Sequence, residues 1–222
     1  MKTKLKVTLV LCLLSYYSCI PEDDIIQNAI NIYPEFNIDY YNSKDSLQAS
    51  LIFHTINPFG QGIRLIDETD IFFNDSIMNF DPFKEAYVFK QKGIPDSSII
   101  SWYHDEEYFS VSMDMNTFNP RLNRENLFMD QRDSLVWDDN PLTSMEYISF
   151  YASDQSNIQY HFHDEIFTNA MLIDSSQFLK FEKDSVIYLT PIRVKQFSFS
   201  LNKYRGNEGA TRIYADTLFT SY

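Results

Sequence analysis

The feature that most restricts this chain is an apolar–polar alternation of period two. Phe109, Val111, Met113 and Met115 alternate with Ser110, Ser112 and Asp114. Phe197, Phe199 and Leu201 alternate with Ser198, Ser200 and Asn202. Ile158, Tyr160 and Phe162 alternate with Gln159, His161 and His163. Successive side chains of a strand point to opposite faces, so each run reads as a strand with one dry face and one wet face. The apolar members are assigned to the core, which places Phe197, Phe199 and Leu201 inside and Ser198 and Ser200 outside. Ile158, Tyr160 and Phe162 are assigned inward in the same way. Further strands are expected over 47–56, 63–66, 71–73, 85–90, 98–103, 145–152, 186–190 and 211–219, with little sustained helical periodicity between them.

The punctuation suits short connections. His104-Asp105-Glu106 separates two strand-like runs and predicts a hairpin, and Arg205-Gly206-Asn207-Glu208-Gly209 separates the last two. Asn57-Pro58-Phe59-Gly60-Gln61-Gly62 holds two of only five glycines and reads as a loop. Asp174 to Phe181 is read as a short helix opened by an Asp/Ser cap. Strands recurring about every 8–12 residues between such turns argue for an all-β chain of antiparallel sandwiches.

Residues 116–132 break the rhythm with Asn116, Asn119, Pro120, Asn123 and Asn126 beside Arg121, Arg124 and Arg132. This stretch is read as the connection between two β-domains, 33–117 and 118–222. A short echo, Asp45-Ser46-Leu47 and Asp133-Ser134-Leu135, fits that division. The strand rhythm, with phrases such as Ile63-Arg64-Leu65-Ile66 and Asp133-Ser134-Leu135-Val136-Trp137, resembles small tandem immunoglobulin-like lipoproteins. That likeness implies a fold and carries over no functional residue. Fimbrial-type adhesion subunits are a second group of two-domain β-proteins with such an outline.

Ahead of these strands the composition changes. Lys2, Lys4 and Lys6 precede an apolar run from Val7 to Leu14, and small Ser18 stands directly before Cys19. A membrane-spanning helix needs about 20 apolar residues, so the run reads as a signal-peptide core. Cleavage after residue 18 would remove Cys12 and leave Cys19 as the sole cysteine, which excludes a disulfide within one chain. Leu13-Leu14-Ser15-Tyr16-Tyr17-Ser18-Cys19 resembles a bacterial lipoprotein signal, with Tyr16 where that pattern usually carries an aliphatic residue. The resemblance implies acylation of Cys19 with a diacylglycerol and an N-acyl chain. Two or more chains hold a protein stably on a membrane. Residues 19–32 then form a lipidated, acidic tether. Ile20-Pro21-Glu22-Asp23-Asp24 resembles the export tag of Gram-negative lipoproteins carried to the outer face of the outer membrane. A solvated tether facing the periplasm would use the same residues.

Without residues 1–18, 15 basic side chains face 31 acidic ones, a balance of −16. Such a chain is repelled by nucleic acid and by anionic headgroups, and neither is expected as a partner. The 19 Phe and 15 Tyr supply material for a real core and exclude a disordered composition.

Chemistry is harder to place. Residues two apart on a strand share a face, so His161, His163 and Glu165 would project together, away from Ile158, Tyr160 and Phe162. Two imidazoles and a carboxylate suit a first-row metal, and they are the basis of an alternative reading as a metal-dependent envelope enzyme. Two histidines on the polar face of a strand more often simply meet water, and no metal or cofactor is assigned. Asp67-Glu68-Thr69-Asp70 and Asp138-Asp139-Asn140 offer oxygen ligands but lack the spacing of an EF-hand loop. There is no G-x-S-x-G elbow, and Gly60 and Gly62 are not followed by the lysine and helix of a phosphate loop.

Trp102, Tyr103 and Trp137 could stack on sugars, although in sandwiches such residues are more often core, and Trp137 alternates inward with Leu135. Five tripeptides read Asp, hydroxyl, aliphatic, with Ser46, Ser76, Ser134, Ser185 and Thr217 at their centres. They resemble the acceptor motif of an O-glycosylation system for exported Gram-negative proteins, and they equally describe a turn opening a strand. The sequence therefore leads to a non-catalytic surface lipoprotein of the outer membrane, a binding or structural module for a protein or glycan partner.

Overall fold

A computed structural model describes residues 32–55, 62–65, 70–104, 106–123, 132–138, 140–154, 158–163, 168–174, 181, 186–201, 204 and 208–221. These are strand and loop with a single 3-10 turn at Asn42–Lys44. Among the described residues seventeen strands, numbered in chain order, form three sheets. The large, ten-stranded sheet holds β1 (Ile32–Tyr41), β2 (Ser46–Thr55), β3 (Gly62–Ile63), β6 (Asn79–Asp81) and β7 (Ala86–Lys92) from the first half of the chain. From the second half it takes β12 (Glu146–Ser153), β13 (Ile158–His163), β15 (Val186–Ser198), β16 (Glu208–Tyr214) and β17 (Leu218–Ser221). Its main path runs β13-β12-β15-β16-β1-β2-β7-β6. A four-stranded sheet, ordered β5-β4-β8-β9, comprises β4 (Ile71–Phe73), β5 (Ser76–Ile77), β8 (Ile99–His104) and β9 (Glu107–Ser112). A three-stranded sheet comprises β10 (Pro120–Leu122), β11 (Arg132–Trp137) and β14 (Ala170–Asp174). The chain is thus all-β and built of antiparallel sheets, with one parallel pair, β1 beside β16.

That pair joins the two ends of the fold. In β1, Ile32, Phe36, Ile38 and Tyr40 are buried, while Tyr33, Glu35, Asp39 and Tyr41 lie on the opposite face. Pro34 lacks an N–H and would interrupt a central ladder. It falls just before the β16 pairing, which begins at Glu35 opposite Glu208. Pro191 is placed by the same logic. β15 pairs with β17 through Val186–Leu189 and with β16 from Ile192 onward, so Pro191 stands where the partner changes. Its carbonyl accepts from the Ala215 N–H at 3.0 Å, which closes the gap between the two partners.

The turns follow residues that tolerate left-handed backbone. Asp45, at φ 45°, closes the 3-10 turn, and Asn74 and Asp75, at 45° and 64°, connect β4 to β5. Two consecutive positive φ values make the tight hairpin whose twist matches its strands, and Asn and Asp are the non-glycine residues that fit it. Glu106, at 64°, lies in the predicted hairpin between β8 and β9.

A single core cluster lies within the sheets. Trp102 on β8 packs against Phe36 on β1 and Phe53 on β2, with ring centroids 5.8 and 5.7 Å apart, and this seats the four-stranded sheet on the large one. Tyr204 enters the same aromatic group from the far end of the chain. Gly209 is needed here, because a Cβ would stand 2.9 Å from Phe199 Cε2 and 3.2 Å from Phe36 Cβ.

Several expectations change. β1 is central to the large sheet, although the sequence suggests a tether running up to residue 32. Residues 116–122, read as a connection, are packed: Phe118 is buried against Trp137 and Asn116 bonds Glu146. The echoed tripeptides open β2 of the large sheet and lie within β11 of the three-stranded one, so they do not mark equivalent positions. Phe197, Phe199 and Leu201 are partly buried and Ser198 and Ser200 exposed, as alternation predicts, but the strand stops at Ser198. The helix read over Asp174 to Phe181 begins on the last residue of β14, and 175–180 lie outside the described residues.

On β13 the expectation fails at Ile158. Ile158 is 77% exposed, not buried. The register sets His161 opposite Phe150 and His163 opposite Ile148, both core residues of β12. Period two tells which residues share a face, not which face is dry.

Candidate functional site

The richest polar constellation stands on the outer face of the large sheet, across the β1–β16 junction. Alternation turns Tyr33, Glu35, Asn37, Asp39 and Tyr41 to one face of β1. The antiparallel ladder sets Tyr33 opposite His54, and the parallel ladder sets Glu35, Asn37, Asp39 and Tyr41 opposite Glu208, Ala210, Arg212 and Tyr214. β15 continues the rows with Ser198, Gln196, Val194 and Ile192. Ala210 puts only a methyl group on this face between Asn37 of β1 and Gln196 of β15. The result is a groove of about 460 Å³.

Side chains of the groove fix one another. His54 Nε2 lies 3.0 Å from Glu35 Oε2, and Asn37 Nδ2 donates to Glu35 Oε1 at 2.7 Å. Arg212 Nη1 donates to Asn37 Oδ1 at 2.8 Å and to Asp39 Oδ1 at 3.4 Å. This is a ladder of five residues from three strands, His54–Glu35–Asn37–Arg212–Asp39. Asn37 is buried, whereas the Glu35 side chain is 42% exposed and that of Arg212 33%. The ladder is therefore anchored below and open above. A guanidinium has five N–H donors. Among the described residues only Nη1 of Arg212 is engaged by side chains.

Burial dominates the electrostatics here. It pushes the Asp39 carboxyl above its ordinary value, and the charge and hydrogen bond of Arg212 pull the other way. Burial, with the neighbouring Asp39 charge, also raises the Tyr41 and Tyr214 hydroxyls. Their rings stack at 4.5 Å and 14° directly beyond the polar ladder. Tyr151 and Tyr188, both about half exposed, extend the aromatic character across β12 and β15.

The residues singled out in the sequence are scattered. Cys19 precedes the described residues, and Ser185, Glu165 and the Asp67-Glu68-Thr69 stretch also lie outside them. For His161 and His163 the backbone of β13 alone is described. Among the described residues no three His, Cys, Asp or Glu side chains stand close enough to hold a metal ion. Asp138 pairs with Arg121 on the surface. Trp102 and Trp137 are fully buried, so neither offers a stacking surface, while Tyr103 is exposed beside Tyr108 at 5.1 Å. Ser46 opens β2, Ser134 is half-buried in β11, and Ser76 and Thr217 are exposed. Asp45 and Asp75 adopt left-handed backbone immediately before their serines, the geometry of a turn opening a strand.

The ladder escapes a linear reading because its parts come from residues 35–39, 54 and 212, each looking like an ordinary wet position of its own strand. The one local signal is the density of Glu35, Asn37, Asp39 and two tyrosines on alternate positions of a single strand. Neither a protein-family model nor a curated protein sequence matches the chain.

Proposed function

We propose that this chain is an outer-membrane lipoprotein, anchored through acylated Cys19 and facing the cell surface, and that the outer groove of the large sheet is a non-catalytic binding site. The observation that carries the reading is the His54–Glu35–Asn37–Arg212–Asp39 ladder. Its groups hold each other in place within a groove, which suits a site that grips a ligand without itself changing. We read the architecture as two tandem immunoglobulin-like sandwiches that share the large sheet, one closed by the four-stranded sheet and one by the three-stranded sheet. The basic, apolar and small-residue order of Met1–Cys19 supports the anchor. Twelve residues lie between Cys19 and Ile32, so a fully extended tether would reach no more than about 45 Å. The groove includes Tyr33 and Glu35 at the start of β1, and it would be held close to the membrane.

Two measurements test this. Cys19→Ala should move the protein from the detergent phase to the soluble fraction; a variant that stays membrane-bound and is processed to the same size defeats the anchor. Envelope extract passed over the immobilised protein should yield a partner that is not retained by a Ser198→Trp variant, in which an exposed position fills the groove. Equal capture by both proteins would remove the groove from the reading.

A further inference from the structure

We propose that the groove binds a neutral oligosaccharide chain, an inference that rests on the reading of the groove as a binding site and adds its ligand class. Hydroxyls of a sugar both donate and accept, and adjacent ones suit planar carboxylate, amide and guanidinium groups. The groove presents these groups together in Glu35, Asn37, Arg212 and Gln196. An apolar ligand would strip water from them and return no hydrogen bonds, which is costly. An anionic ligand meets Glu35 and Glu208 against one arginine, which already bonds Asp39. A chain of this net acidity repels it further. A peptide adding itself as a strand needs a free sheet edge. β1 and β16 are both flanked through this region, and their ladders face other strands.

Aromatic residues mark the length of the track. Tyr33 lines the groove, and the stacked Tyr41 and Tyr214 lie at the far end of β1 on the same face. Seven residues of extended strand lie between Tyr33 and Tyr41, a span of roughly 27 Å, enough for several sugar rings. Apolar C–H faces of sugars pack on such rings while their hydroxyls turn to the polar ladder.

The test is affinity electrophoresis of the full processed protein in non-ionic detergent, through gels holding one neutral polysaccharide each: mannan, xylan, α-glucan or β-glucan. An acidic polyuronate and a polysaccharide fraction from the cell's own envelope make two further arms, and retardation by that fraction alone identifies the source as the cell surface. At least one neutral polymer or the envelope fraction should retard the protein. Arg212→Ala and Asn37→Ala should weaken retardation about tenfold or more, the loss expected from one charged or buried hydrogen bond. Ser198→Trp, from an exposed position, should abolish it, and Lys84→Ala, exposed in the turn between β6 and β7, should leave it unchanged. Retardation by none of these polymers, by the polyuronate alone, or equally in Ser198→Trp overturns the proposal. If the saccharides fail while Ser198→Trp still abolishes capture of an envelope protein, the groove remains a binding site for a protein and only the ligand class falls. If both fail, the groove is no binding site.

Discussion

The two small sheets each carry one fully buried tryptophan, and the two tryptophans are held in opposite ways. Trp102, on the four-stranded sheet, packs among Phe36, Phe53, Phe109 and Tyr204, and its Nε1 donates to the Tyr204 hydroxyl at 3.1 Å. Tyr204 Oη also lies 2.7 Å from His104 Nδ1, so the polar atoms of this aromatic group are satisfied within it. Trp137, on the three-stranded sheet, meets Phe118, and its Nε1 has no partner among the described residues. Close to it in the chain stands a buried ion pair. Arg193 Nη2 and Nε donate to Glu146 Oε2 and Oε1 at 3.1 and 3.2 Å, with both side chains 1% exposed. Glu146 also accepts from the Thr143 N–H and from Asn116 Nδ2. Among the described residues, the three buried donors without partners, Trp137 Nε1, Gln159 Nε2 and Arg193 Nη1, all belong to the second half. The first half is held by dry aromatic packing, and the second depends on a polar node that is completed only in the folded state. The second half should be the first to open.

The largest effect is expected at that node. Glu146→Ala leaves the Arg193 guanidinium buried without its carboxylate, and should cost about 3–5 kcal/mol in denaturant unfolding. Replacing both partners, as Glu146→Leu with Arg193→Met, should recover most of that loss, because no charge is then stranded. Equal losses in the single and double variants would mean that packing, not charge, matters at this site.

The same carboxylate fixes the acid response. Burial works to raise the Glu146 carboxyl, and the bonds from Arg193 and the Thr143 N–H outweigh it, leaving the group below its ordinary value of 4.5. A group whose folded value is depressed contributes stability above its unfolded value and loses it as pH falls through the folded one. Stability should therefore decline below about pH 4.5. With Trp102→Phe and Trp137→Phe variants as single-tryptophan reporters, the Trp137 signal should change at a higher pH than the Trp102 signal. The reverse order would break the contrast between the halves.

The seam between the halves comes next. Gly209 sits on β16 opposite Phe36 of β1 and against Phe199, and has no space for a Cβ. Gly209→Ala should cost about 1–3 kcal/mol as an overpacked core position. It should lower both tryptophan transitions together, where Glu146→Ala acts first on Trp137. The tryptophans themselves differ less. Trp102→Phe removes a donor that the Tyr204 hydroxyl accepts and should cost about 1–2 kcal/mol. Trp137→Phe removes a donor that bonds nothing, a relief that offsets lost packing, so the change should stay under about 1 kcal/mol.

This asymmetry shows where sequence reading stops. Phe109 and Val111 announce β9 because local alternation and local burial agree, although the strand stops at Ser112, short of Met113 and Met115. In β1 the alternation is equally regular, but Pro34, Asn37 and Asp39 disguise it. The strand is stabilised by β16, whose register sets Asp39 beside Arg212, a pairing no local window contains. β13 fails differently: Ile158 faces out, since the core side of a strand is decided by its neighbours. The polar ladder is hidden for the same reason as β1, because Arg212 meets Asn37 and Asp39 only when the ends of the chain pair.

The smallest effect is predicted at the surface counterpart of the buried node. Arg121 and Asp138 form a second arginine–carboxylate pair, linking the neighbouring strand β10 to the end of β11. Their hydrogen bond is bidentate, and it holds the Asp138 carboxyl below its ordinary range. On geometry alone it resembles the Arg193–Glu146 pair. The difference is water: the Arg121 and Asp138 side chains are 58% and 76% exposed. Solvent and salt screen the attraction, and the unpaired partner is readily hydrated when the other is removed. Asp138→Asn should therefore leave the unfolding midpoint unchanged within error, both at low salt and at high salt. A clear loss at low salt would mean that the three-stranded sheet relies on its rim for stability as much as on the polar node beneath it.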